Sequence, residues 1–159
     1  MEPYAVVAHN SATASANKIH DDQVARRFGF EAGLVPGVDV YAYLTHPPAA
    51  VWGLDWLTRG RVRARFGHPV YDGRRVEVLP RTGGVLEVRD GDGVVCATGE
   101  ADLPATAPEP PDPGDWPDVD QVVEPPAAAP ETLVPGTAFG LAPHRFHAEH
   151  AGTYLDDVR

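Results

Sequence analysis

The chain changes its hydrophobic grammar twice. Tyr4 to His9 is apolar and partly β-branched and stops at Asn10-Ser11, which predicts a first strand. From Ala16 to Leu44 the pattern turns helical. Asp21 and Asp22 stand where N-caps belong, Val24, Ala25 and Phe28 recur on one helical face, and Gly29 sits where a left-handed residue ends a helix. That predicts a helix of about two turns. After Gly33-Leu34-Val35, Pro36 and Gly37 open a second helix whose residues Val38 to Thr45 are apolar on most sides, with Pro47-Pro48 as its expected stop. A helix this apolar must be wrapped by something. Pro48 to Leu57 reads as a broken helix interrupted at Gly53, with Trp52 and Trp56 as core or dimer packing.

From Arg61 the period becomes two. Val62, Ala64 and Phe66 alternate with Arg61, Arg63 and Arg65. Asp72-Gly73 marks a turn, followed by strands over Arg75–Leu79, Val85–Arg89 and Val94–Ala101. Thr82-Gly83-Gly84 and Asp90-Gly91-Asp92-Gly93 are the turns between them. One strand, then helices, then an antiparallel meander is the order expected of an α+β sheet curled around one helix.

The texture shifts again near Leu103. Residues 104–130 are rich in proline, alanine and acidic residues and predict an extended linker after a domain at 1–103, with Trp116 as a docking point. Residues 131–159 resume apolar texture. A segment of about thirty residues cannot bury a core of its own.

Composition narrows the partners. Hydrophobic residues make up 43% of the 159, which excludes wholesale disorder, and a formal net charge of -10 argues against nucleic acid and anionic membranes. Arg61, Arg63 and Arg65 line one strand face and are expected to be solvated. Cys96 is the single cysteine, so no intrachain disulfide forms, and its apolar neighbours predict a buried, inert thiol. No stretch reaches the ~20 apolar residues of a membrane span, and the expectation is a cytoplasmic protein. His144, His147 and His150 are evenly spaced, but without a further ligand pattern neither a metal nor another cofactor is expected.

Asn17-x-Ile19-His20, a short helix, and then Gly33-Leu34-Val35-Pro36-Gly37 entering an apolar helix resembles the hydratase motif of the MaoC-like (R)-specific enoyl-CoA hydratases, which have a hotdog fold. That family's usual pattern is Asp-x-Asn-Pro-x-His, followed by a segment like Ile-Ala-His-Gly-Met at the mouth of the central helix. Asn17 and His20 match, Lys18 replaces the proline, and Ser15 stands at the catalytic aspartate. Val35-Pro36-Gly37 falls on Ala-His-Gly and keeps the glycine.

The resemblance implies an acyl thioester of CoA or acyl carrier protein as partner and, for an active enzyme, hydration of a conjugated enoyl thioester. His20 would move the proton, since imidazole is the side chain that ordinarily titrates near neutrality. Gly37 would supply a backbone N–H to the enolate oxygen, with Val35 beside it, and Asn17 would hold the loop or orient the imidazole. A hydroxyl at Ser15 cannot replace a carboxylate in acid-base work. Asp21 and Asp22 are adjacent to His20 but are explained as caps.

Two alternatives stay open. A non-catalytic hotdog subunit would support a catalytic partner, whereas a thioesterase would use an acidic residue on or near the central helix, where Asp39 lies, with Glu31 upstream. One curled sheet leaves a strand edge exposed, so a homodimer or pairing with a second hotdog repeat is expected. The C-terminal segment reads as the opening of such a repeat, with an arm packed on a neighbouring chain as the alternative.

Overall fold

Five strands form one antiparallel sheet in the order β1-β3-β4-β5-β2. They are β1 (Tyr4–Val7), β2 (Arg61–Phe66), β3 (Arg75–Pro80), β4 (Val85–Asp90) and β5 (Val95–Asp102). Between β1 and β2 come α1 (Asp22–Arg27), α2 (Gly37–Trp52) and α3 (Leu54–Arg59). This computed structural model describes residues 1–115 and 127–137. Trp116, His144, His147 and His150 lie outside them.

Alternation assigns the two faces of the sheet. The register lines up Tyr4, Val78, Val88, Ala97 and Phe66 in one row across all five strands, and Pro80, Leu86, Gly99 and Ala64 in the next. These rows meet α2. Val76, Val78, Leu86 and Val88 are wholly buried beneath Val40 and Leu44 of the helix. Seating a leucine there contributes about 1.5–3 kcal/mol. Gly99 makes the seat, because a Cβ at that position would lie 2.7 Å from Leu44 Cδ2. The other face carries arginines and carboxylates: Arg81 and Arg89 both donate to Glu87, and Arg61 donates to Asp102.

The first helix follows its caps. The Asp21 carboxylate accepts from the amides of Gln23 and Val24, and Gly29 takes φ +88 just beyond the end. Phe28, expected on the apolar face, is instead 72% exposed, and Ala25 alone of α1 is buried.

The second helix corrects the sequence reading. It does not stop at Pro47-Pro48 but runs through both to Trp52, and the break comes at Gly53 with φ +56. Two prolines remove the amides that would bond the carbonyls of Tyr43 and Leu44. Both rings are fully buried, and that burial offsets the lost bonds. Nor is the helix wrapped all round, since Val38 is 70% and Val51 55% exposed. Trp52 and Trp56 stack with centroids 5.5 Å apart against the core, and Cys96 is buried.

These elements belong to a unit that includes Met1–Pro108, and a second begins at Glu109. In the second, the Gly114 amide donates to Asp112 (2.8 Å), and the Thr132 hydroxyl donates to the Ala127 carbonyl (2.6 Å).

Candidate functional site

The entrance to α2 is assembled by backbone contacts between loops that are far apart in sequence. Residue Gly33 passes so close to residue 20 that a Cβ on it would lie 2.3 Å from the His20 carbonyl oxygen, so the first glycine of Gly-Leu-Val-Pro-Gly is required by contact. The Gly33 amide donates to Asp22 (2.8 Å), giving that carboxylate a second task beyond the start of α1. The Val35 amide donates to the Val70 carbonyl (2.8 Å), which fastens the loop to the segment before β3.

His20 is held by the same loop. Its Nδ1 lies 2.7 Å from the Leu34 carbonyl oxygen. A carbonyl only accepts, so Nδ1 carries the hydrogen, and the neutral ring then presents a lone pair at Nε2. This fixes both the tautomer and the aim of the imidazole from a point three residues ahead of Gly37.

At the helix mouth the amides of Asp39 and Val40 both donate to the Pro36 carbonyl, at 3.0 and 3.1 Å. The amides of Gly37 and Val38 precede them and have no carbonyl of the helix to bond, so they point outward with the positive end of the helix dipole. A Cβ at Gly37 would meet nothing within 4 Å. Val35 is buried beside it.

Asp39 is 2% exposed, and its Oδ2 accepts from the Ser11 hydroxyl at 2.5 Å. Thioesterase chemistry needs a carboxylate facing water or an acyl carbon; here the group ties the loop after β1 to the first turn of α2. Glu31, by contrast, is exposed, 3.9 Å from Arg74.

Asn10 carries the arrangement and was missed by sequence reasoning, which took it as a strand stop. It is 4% exposed, its amide donates to Asp72 (2.8 Å), its Nδ2 to the His20 carbonyl (2.8 Å), and its Oδ1 accepts from Ala12 (3.1 Å). The one available signal was its type, since a buried asparagine must fill its bonds. Tyr43, one turn beyond Asp39, accepts from the His9 amide (3.0 Å), and burial pushes its phenol above the ordinary value.

The other two motif residues serve their own loop. The Ser15 hydroxyl accepts from the Asn17 amide (3.1 Å), and the Asn17 side chain accepts from Ile19 (3.4 Å), capping the short helix that ends at His20.

The sheet order and the helix it curls on recur in solved structures. A MaoC-like dehydratase from Phytophthora capsici matches 65% of this chain with a TM-score of 0.50 and 16% identity. The full-length peroxisomal multifunctional enzyme type 2 from Drosophila melanogaster matches 64%, also with a TM-score of 0.50, at 19% identity. The chain has the hotdog fold. It spans 42% of the length of the first of these hotdog proteins and 22% of the second. No protein-family model and no curated protein sequence matches it. Among the described residues of this hotdog domain, no helix is long and apolar enough to cross a membrane.

Proposed function

We propose that the chain is a MaoC-like acyl-thioester-binding protein, and that its chemistry is reversible hydration of an enoyl thioester with His20 moving the proton. The observation that carries the reading is the Nδ1 contact of His20 with the Leu34 carbonyl, which ties the ring to the loop entering α2 and leaves Nε2 as its basic atom. Nε2 takes a proton from water, and the water oxygen bonds the β carbon. The π electrons move onto the thioester oxygen, where the Gly37 amide and the helix dipole hold the charge. With a hydroxyl at Ser15, the imidazolium is the group in this reading that returns the proton to the α carbon. The thioester carrier is CoA or acyl carrier protein, the setting is the cytoplasm, and a second hotdog domain is the structural partner.

Ser15 supports a second reading. Its hydroxyl is engaged with Asn17 and has no accessible anionic form, which suits a non-catalytic subunit that binds the thioester or supports a catalytic partner.

Loss of the enoyl absorbance of crotonyl-CoA separates the two. Turnover that falls by a factor on the order of a hundred to ten thousand in His20→Ala supports the enzyme. Turnover no higher than that control removes it, and activity created by Ser15→Asp then assigns the otherwise intact site to the non-catalytic reading.

A further inference from the structure

Asn10 and Ser11 are consecutive residues of the loop after β1, and each grips a different half of the site. Nδ2 of Asn10 donates to the His20 carbonyl (2.8 Å), while the Ser11 hydroxyl donates to Asp39 (2.5 Å) in the first turn of α2, two residues beyond Gly37. Asn10 and Asp39 are both buried, and hydration as described above asks nothing of either side chain directly. A hydrogen bond kept from water is costly to leave unmade, so each grip fixes the position of its partner.

The loop that carries the two grips is itself fastened. Ala8 exchanges two backbone bonds with the turn before β3, its amide donating to the Arg74 carbonyl and its carbonyl accepting from the Gly73 amide, both at 2.8 Å. The His9 amide donates to the Tyr43 hydroxyl (3.0 Å) further along α2, and the Asn10 amide to Asp72 (2.8 Å). Residues 8–11 are therefore tied at once to the sheet, to α2 and to the His20 loop.

These bonds close a frame. It runs from the His20 ring to the Leu34 carbonyl, along the chain to Gly37 and Asp39, across to Ser11, and back through Asn10 to the His20 carbonyl. Held at Leu34 alone, the imidazole could swing about that one contact, because the bond at Nδ1 does not fix the backbone that carries the ring. The second hold, on the carbonyl of His20 itself, removes that freedom. With no cis peptide between them, Asn10 and Ser11 have Cα atoms about 3.8 Å apart, so the link between the two grips is as short as the chain allows.

We infer that Asn10 and Ser11 are positioning residues: anchored on Asp39, they set the separation between the His20 imidazole and the Gly37 amide. Asp39 then serves as the fixed point on α2. A spacing set before the substrate arrives matters for rate, since a misplacement of about 1 Å costs on the order of a hundredfold. The inference rests on the roles that the proposed function gives His20 and Gly37, but its test needs no turnover, so the two fail separately.

Nuclear magnetic resonance of the ligand-free protein, at a pH where the imidazole is neutral, reports the His20 tautomer and the Gly37 amide in one sample. The wild-type tautomer, expected to carry its hydrogen on Nδ1, tests the reading of His20. The response to distant variants tests the frame. Ser11→Ala removes a hydroxyl that bonds Asp39, yet it is expected to lower the ratio of the Nδ1–H to the Nε2–H form by roughly tenfold. Ser11→Thr, which keeps the hydroxyl, restores the ratio. Asn10→Ala is expected to move the Gly37 amide, although the bonds of Asn10 go to Asp72, His20 and Ala12. A loop with only a local structural role would change the signals of residues 8–12 and Asp39 alone, and a wild-type tautomer ratio in Ser11→Ala overturns the inference. Should Asn10→Ala fail to fold by circular dichroism, the two Ser11 variants decide.

Discussion

At the scale of single residues, the entrance to α2 depends on atoms that are absent as much as on those present. Gly33 has no Cβ where one would collide with the His20 carbonyl, so Gly33→Ala must push the two loops apart. The expected cost is about 1–3 kcal/mol in urea unfolding, together with a shifted His20 imidazole resonance. An unchanged resonance would show that the two loops are not coupled. His20 and Gly37 are candidates because a motif spaces them, whereas the Asp21 cap of α1 was legible in the sequence because capping is local. Asn10 was not visible, since its partners at positions 20 and 72 come together only through the fold. Asp39 was read correctly as a first-turn carboxylate, but its burial under Ser11 depends on where the loop after β1 returns.

Among elements, the strands were the most legible, because period-two alternation and the Asp-Gly turns are local signals that agree with one another. The course of α2 was not. Two successive prolines ordinarily end a helix, and only contact with the sheet, which local pattern cannot report, carries it on to Trp52. The outer face of the sheet has its own pH signature. Hydrogen bonds from Arg81 and then Arg89 hold the Glu87 carboxyl below the usual glutamate value. The unfolded chain therefore binds more protons in the acid range than the folded one. The contribution is full above the unfolded value near about 4.3 and is lost as pH falls through the lower folded value. Urea midpoints measured from neutral pH into that range should decline less steeply for Glu87→Gln than for wild type, the gap being largest at neutrality, where the charged carboxylate keeps its arginine partners, and closing in acid. Parallel declines would mean that the arginines do not perturb this carboxyl.

For the molecule as a whole, the hotdog order was legible as a strand, a helical stretch and a meander, and the match to solved structures gives the same fold. The identity of the free edge was not, because it follows from which strands pair rather than from any one strand's pattern. That edge carries the alternation of Arg61, Arg63 and Arg65, which on sequence read as a solvated face ahead of a local contact for the phosphates of CoA. The central claim concerns the mouth of α2, where the His20 imidazole is to face the attacking water and the Gly37 amide the carbonyl oxygen of the same bound thioester. Titrating the isotope-labelled protein with butyryl-CoA, a saturated thioester that cannot be hydrated, while following the Gly37 amide and the His20 ring by nuclear magnetic resonance tests it directly. The account predicts that both signals move together along a single binding curve. Shifts confined to one of them, or binding that leaves both in place, would contradict it.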